Sequence, residues 1–169
     1  GRLAVRPRRC ADFDELVREF ASVAIDVRLM LRRNGSDIPE TTLDRLNDLA
    51  GQAESAESIE SLLGVEGLAA RHYFSQFPSM IRPRNTEDLF AFQFEGRNRR
   101  PPLDPVNAML SLCYSLLAKD CGVTLSAVGF DPFLGFYHTP HHGRQSLALD
   151  LMEEFRPIVA DSTVLTAIN

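Results

Sequence analysis

No apolar run in this chain approaches the roughly 20 residues needed to cross a bilayer, and no charged-then-apolar leader precedes a small-residue cleavage site. A soluble intracellular protein that avoids membranes is the expectation. Cysteine is scarce: Cys10, Cys113 and Cys121 form no C-x-x-C pair, and their odd number argues against a disulfide framework. They are expected as reduced, buried thiols. Lysine is almost missing, since of the 18 basic residues all but Lys119 are arginine, whose planar fork best matches phosphate. A GC-rich genome would give the same bias. Sustained period-two alternation is absent as well, which excludes a sheet-based fold and leaves an all-α, multi-helix architecture without internal repeats. The chain begins Gly1-Arg2-Leu3, without an initiator Met, and stops at Asn169 just after an apolar run. Residues 1–169 therefore read as one helical domain excerpted from a longer polypeptide, with residues 1–20 forming part of the connection from an upstream domain. At 169 residues and 44% hydrophobic content that domain has enough material for its own core.

A formal charge of −5 speaks against a protein that coats nucleic acid by bulk positive potential. The charge is unevenly spread, however. Glu40, Asp44, Asp48, Glu54, Glu57, Glu60 and Glu66 face a single Arg45, whereas Arg2, Arg6, Arg8 and Arg9, then Arg28, Arg32 and Arg33, then Arg82, Arg84, Arg97, Arg99 and Arg100 form separate basic clusters. Local basic surface can exist on this acidic chain.

From Asp12 to Arg33 the apolar positions Phe13, Leu16, Val17, Phe20, Val23, Ala24, Val27 and Leu31 recur at helical spacing. Asn34-Gly35-Ser36 signals a turn, and Pro39-Glu40 opens a second helix carrying Leu43, Leu46 and Leu49. A third helix is expected from about Ser55 to Phe77, with Ile59, Leu62, Leu63, Ala70, Tyr73 and Phe77 as its apolar stripe and Pro78 as its end. Residues 82–102 read as an irregular basic loop. Asp104-Pro105 supplies a cap and a proline at the first helical position, and Val106, Met109, Leu110, Cys113, Leu116 and Leu117 follow as a strongly apolar helix expected at the centre of the core. A short helix around Thr124 to Val128 ends at Gly129, and residues 131–138 form a turn-rich approach to the last helix. That helix starts near Arg144, carries Leu147, Leu151 and Phe155 on one side, and meets Pro157, which can stop or kink it.

Glu66 falls on the apolar stripe of the third helix, and a carboxylate there is anomalous, because an isolated buried charge is costly. A core salt bridge to Arg71 or Arg144 accounts for it, as does a functional site. The flanking Gly64 and Gly67 favour the second, since glycine inside a helix costs about 1 kcal/mol and usually answers a close approach. His138, His141 and His142 read equally well as a surface cluster. Asp150 and Glu153, spaced i and i+3, point from one side of a helix, and Glu154 beside them keeps the choice of acid open. One Glu, one His and one or two further acids make an oxygen-rich donor set with a single imidazole, which suits Mg2+ or Mn2+ and phosphoryl-transfer chemistry. A zinc module from Cys113, Cys121, His138 and His142 departs from the short paired spacings of structural sites.

Four stretches, Leu62 to Phe74, Arg99 to Ser111, Gly129 to His138 and Ser146 to Pro157, closely resemble in sequence and order the CRISPR-associated protein one family. The resemblance covers nearly everything after about residue 20. It implies the helical catalytic domain of a metal-dependent DNA endonuclease and integrase that inserts spacer DNA into a CRISPR array, by attack of a 3′-hydroxyl on a phosphodiester at the repeat edge. By the same resemblance Glu66, His138 and Glu153 are the metal-binding residues and Asp150 the acid that supports the site. Arg71, Arg99, Arg100, Arg144 and, more weakly, His72 become the candidates for holding DNA phosphates. The partners it implies are double-stranded DNA, a homodimeric second copy bridged by the CRISPR-associated protein two, and a fused or associated iron–sulfur exonuclease (the CRISPR-associated protein four) or reverse transcriptase, in a prokaryotic cytoplasm. The family's β-rich N-terminal domain has no counterpart among these residues. A non-catalytic scaffold of the adaptation complex, and a helical interaction module with Glu66 in a core ion pair, are the competing readings.

Overall fold

The computed structural model describes residues 13–85, 87, 90–139 and 141–169; Arg2, Arg6, Arg8, Arg9, Cys10 and the side chains of Phe13 and Leu16 lie outside what it describes. Among the described residues there are six α-helices and no strand: α1 Phe13–Asn34, α2 Glu40–Glu54, α3 Ile59–Gln76, α4 Pro105–Ala127, α5 Ser146–Phe155 and α6 Ser162–Ile168. Residues 13–20 form the first turns of α1, in line with the helical spacing from Asp12.

Val17, Ala21, Ala24, Val27 and Leu31 make the buried stripe of α1, at steps of three and four. It packs on Leu43 and Leu46 of α2, while Val17 and Ala21 join Leu62 and Tyr137 in a second, smaller cluster. The turn after α1 needs glycine: a Cβ on Gly35 would stand 2.5 Å from Ile38 Cγ1 and 2.7 Å from the Leu31 carbonyl. Ser58 caps α3 by accepting from Ser61 N, and a 3-10 turn Phe77–Met80 containing Pro78 ends it.

The fourth helix differs from expectation in two ways. It runs unbroken to Ala127, absorbing the short helix read at Thr124 to Val128, because Cys121, Gly122 and Leu125 continue its buried side. Its end is a Schellman motif, with Phe130 N on Leu125 O, Gly129 N on Ser126 O and Gly129 at φ 90°. Nor is it buried all round: Val106, Leu110 and Tyr114 face the core, but Leu112, Leu116 and Val123 are 52–60% exposed. By length and composition α4 would pass for a membrane-crossing helix, against the expectation from apolar run lengths, and 28% of that apolar window is buried in the protein.

At the N-terminus of α4 Asp104 Oδ1 accepts from Asn107 N at 2.8 Å, and its Oδ2 takes the Asn107 and Asn98 side-chain amides. Asn107, fully buried, also accepts from Arg97 Nη1 and Asn98 N, so this cap anchors the basic loop as well as the helix. Asp104→Ala should therefore cost about 1–2 kcal/mol, read as a lower urea midpoint.

Pro157 neither stops nor sharply ends the last helix. Residues 156–161 widen into a π-helical segment, which accommodates the missing proline N–H, and α6 continues from Ser162. The buried side of α5 is Ser146, Ala148 and Met152, with Leu147 and Leu151 partly buried against the same core and Phe155 37% exposed. Asp150 and Glu153 consequently lie half-buried beside the packed stripe.

Candidate active site

Glu66 is half-buried on α3, and its partner is neither Arg71 nor Arg144 but the hydroxyl of Tyr137, which donates to Oε2 at 2.7 Å. Gly64 and Gly67 do not answer a close approach by protein: both are exposed, with nothing within 4 Å of a Cβ built on either. Gly64→Ala or Gly67→Ala is expected to raise stability by about 0.5–1 kcal/mol in thermal unfolding, the ordinary helix-interior difference.

The 131–138 turn is pinned to α5 by one carboxylate. Asp150 Oδ2 accepts from the amides of Phe136 (2.7 Å) and Tyr137 (3.1 Å), and Oδ1 accepts from the amide of His138 (2.9 Å) and contacts its Nδ1 (2.7 Å). Burial pushes the Asp150 carboxyl up, yet these bonds, the His138 ring foremost, outweigh it and hold the group below its usual range. The His138 ring is thereby oriented with Nε2 left over, the arrangement in which a carboxylate fixes a metal-ligating imidazole. His141 and His142 are exposed, and the His141 ring reaches only the His142 carbonyl. This separates His138 from its neighbours, which spacing alone does not.

Glu153 pairs with Arg156, one helical turn on, and Arg156 lies 4.4 Å over the Tyr114 ring. Beneath them Asp161, 2% exposed, accepts from Tyr73 at 2.9 Å and Tyr114 at 2.6 Å. Burial pushes Asp161 up to about 6, against the opposing pull of the two hydroxyls, Arg156 and Arg97. A cavity lined by Glu66, Glu153, Arg99, Tyr73, Tyr114 and Asp161 joins α3 to the π-helical segment. A second, with Glu153 also in its wall, is lined by Glu19, Tyr137, Asp150 and Glu154, and burial followed by Glu154, Glu15 and Asp150 raises Glu19.

Thus Glu66 and Glu153 line the first cavity and Glu153 and Asp150 the second, while His138 lines neither and is tied to the site through Asp150. By chemistry this donor set fits a hard divalent cation: two carboxylates on one cavity and an oriented imidazole next to them. By position, among the described residues, no three His, Cys, Asp or Glu side chains stand close enough to share an ion; Tyr137 engages Glu66 and Arg156 engages Glu153. The zinc alternative does not assemble either: Cys121 is buried and Cys113 half-buried along α4. Arg71, Arg99, Arg100 and Arg144 are exposed and His72 half-buried; of these only Arg99 lines the cavity. Residues that sequence reading missed are Tyr137, Arg156, Asp161, Tyr73, Tyr114 and Glu19. Only Arg156 carried a signal, as a cation three residues after Glu153.

A family profile described as CRISPR associated protein Cas1 matches residues 11–169. The chain is 53% identical over 145 residues to the CRISPR-associated exonuclease Cas4/endonuclease Cas1 fusion of Rhodospirillum rubrum, covering 84% of this chain and 25% of that protein. It is 45% identical over 141 residues to CRISPR-associated endonuclease Cas1 3 of Thermus thermophilus, covering 83% of this chain and 39% of that one. Among solved structures it is similar to a chain of the partial Cas6-RT-Cas1--Cas2 complex, with TM-score 0.81 and 30% identity over 93% of this chain and 46% of the other. The chain spans 25% to 46% of the length of these three proteins.

Proposed function

The chain belongs to the CRISPR associated protein Cas1 family, and we propose that it is the catalytic part of a divalent-metal-dependent DNA integrase that joins spacer DNA to the ends of a CRISPR repeat. The observation that carries this reading is the meeting of Glu66 from α3 and Glu153 from α5 on one cavity, with His138 fixed by Asp150 beside it. Glu66, Glu153 and the His138 imidazole would hold the ion. Asp150, whose two oxygens already take four contacts, orients instead of ligating. A bound Mg2+ or Mn2+ supplies activation of the attacking 3′-hydroxyl and charge stabilisation at the phosphodiester.

Arg99, in the cavity wall, and the exposed Arg71, Arg100 and Arg144, with His72, hold DNA phosphates around that point. Such contacts position the duplex without reading its sequence. Arg99→Ala should weaken DNA binding uniformly across sequences and reduce the slope of log K against log salt by about 1, measured by fluorescence anisotropy.

The relatives' names support the wider assembly: one is a Cas4 fusion, and one belongs to a complex with a reverse transcriptase and Cas2. This protein acts in the same setting, as a homodimer bridged by Cas2, with Cas4 or a reverse transcriptase fused or associated, in a prokaryotic cytoplasm. The test incubates the protein and Cas2 with a short duplex and repeat-containing DNA in Mg2+, Mn2+ or EDTA. Strand-transfer product with either ion and none in EDTA is the expected result. Product in EDTA overturns metal dependence, and DNA binding without product under any condition establishes the scaffold reading.

A further inference from the structure

One side chain touches both halves of the site and belongs to no donor set read from the sequence. Tyr137 is 4% exposed, its hydroxyl donates to Glu66 Oε2 at 2.7 Å, and it is the chain neighbour of His138. Its ring is clamped on two sides, 4.5 Å from Phe20 and edge-on to His138 at 5.3 Å. Its backbone amide is held by Asp150 Oδ2 at 3.1 Å. The phenol therefore has little freedom of its own, and a donor that cannot move fixes what it binds.

We infer that Tyr137 is a positioning residue for Glu66: by holding Oε2 it fixes the carboxylate rotamer and leaves Oε1 for the cation. Among the described residues no donor reaches Oε1. A half-buried glutamate otherwise samples several rotamers, and Gly64 and Gly67 on either side offer no side chain to restrain it. The restraint has to come from across the site. It follows that Asp150 orders two donors on different elements: His138 directly, through its ring and amide, and Glu66 at one remove, by fixing the turn that carries Tyr137. Two of the three ligand-bearing elements, α3 and the 131–138 turn, are thus locked to each other before any ion arrives.

This inference rests on the metal-binding reading of Glu66, so its test reads metal affinity and not turnover alone. Mn2+ is titrated into the intact protein carrying no change, Tyr137→Phe, Glu66→Gln, or both, by calorimetry or by the loss of free Mn2+ signal in electron paramagnetic resonance. The melting temperature of each protein is recorded alongside. Tyr137→Phe keeps the ring against Phe20 and removes only the hydroxyl. It should weaken Mn2+ binding about tenfold, within the range seen when a group supporting a ligand is lost, with a melting temperature close to the parent's. It should add no further loss to Glu66→Gln, and strand transfer by Tyr137→Phe should recover as Mn2+ is raised. An affinity within twofold of the parent overturns the positioning role, as does an equal loss with and without Glu66→Gln. Absence of Mn2+ binding to the unchanged protein overturns the metal reading and this inference together, an outcome distinct from the first two.

Discussion

Glu66→Gln is expected to reduce strand transfer about a thousandfold while leaving the melting temperature within a few degrees of the parent's. The two halves of that expectation come from different features of the same side chain. A divalent ion contributes several kcal/mol of charge stabilisation, and about 4 kcal/mol corresponds to a thousandfold in rate. Replacing a carboxylate ligand by a neutral amide removes the charge that draws the ion in. The fold, by contrast, asks little of Glu66: it is half-buried and its protein partner is the Tyr137 hydroxyl, to which the glutamine carbonyl can still bond. The Gln variant is chosen over Ala for that reason, since it keeps the volume in the cavity wall. A gel assay of strand transfer, run beside differential scanning calorimetry, separates the effects. Activity within tenfold of the parent would refute a ligand role for Glu66. A fall in activity matched by a collapse of the melting transition would place the residue with the packing groups instead.

Glu66 was legible in the sequence because a charged group interrupted an apolar 3.6-residue stripe, and that kind of signal needs no partner to be seen. His138 and Glu153 were legible only through the family resemblance. What separates them from His142 and Glu154 is contact: Asp150 grips the 136–138 amides from another element, and Arg156, one turn on, is turned onto Glu153. Contacts between residues 71 positions apart, as for Tyr137 and Glu66, leave no mark on local periodicity. The glycines beside Glu66 were read for a close approach that the protein itself does not make, because composition cannot tell a glycine facing another helix from one facing open space.

The same distinction runs through the fold. Helices α1 to α3 carry stripes with clear spacing and strong stop signals, Gly35 and Pro78 among them, and appear where those signals put them. The length of the fourth helix and the course of the chain after Pro157 depend on tertiary context. Polar Lys119 and Asp120 sit on the exposed side while Cys121 and Leu125 carry the buried side onward. Proline at position 157 reads as a stop or a kink from its missing N–H; it is buried, and a π-helical widening keeps the backbone helical through Asp161. That widening has a consequence for the site. It sets Arg156 beneath Glu153 and turns Asp161 inward to Tyr73 and Tyr114, which an uninterrupted α-helix would rotate differently.

Asp161→Ala should be the most destabilising single change at the site, costing about 3 kcal/mol, or a fall of roughly 6–12 °C in melting temperature for a chain of this size. Truncation leaves the Tyr73 and Tyr114 hydroxyls buried without an acceptor, and each unsatisfied group costs about 1–3 kcal/mol. Relief of the carboxylate's own burial offsets part of this, which is why the figure stays below the sum. Asp161→Asn separates the charge from the hydrogen bonds and gives a pH test. The groups facing Asp161 are Tyr73 of α3, Tyr114 of α4, Arg156 of the π-helical segment and Arg97 of the basic loop. Burial lifts the folded carboxyl to about 6, above its ordinary 3.8, so the fold favours the protonated form. Its contribution to stability is fully present below about pH 4 and is lost as pH rises through 6. Asp150, held low, works in the opposite direction: its contribution is present above the ordinary carboxyl range and lost in acid. Because the unchanged protein and Asp161→Asn share Asp150, subtracting their urea midpoints isolates Asp161. The difference should move steadily in favour of Asp161→Asn between pH 4 and pH 6.5 and level off above. A flat difference would mean that Asp161 is ionised throughout, its charge fully compensated by the two hydroxyls and Arg156. In that case the network beneath Glu153 would be a fixed anion supporting the site's cationic side chain, and Asp161→Ala would release Arg156 to compete more strongly for Glu153.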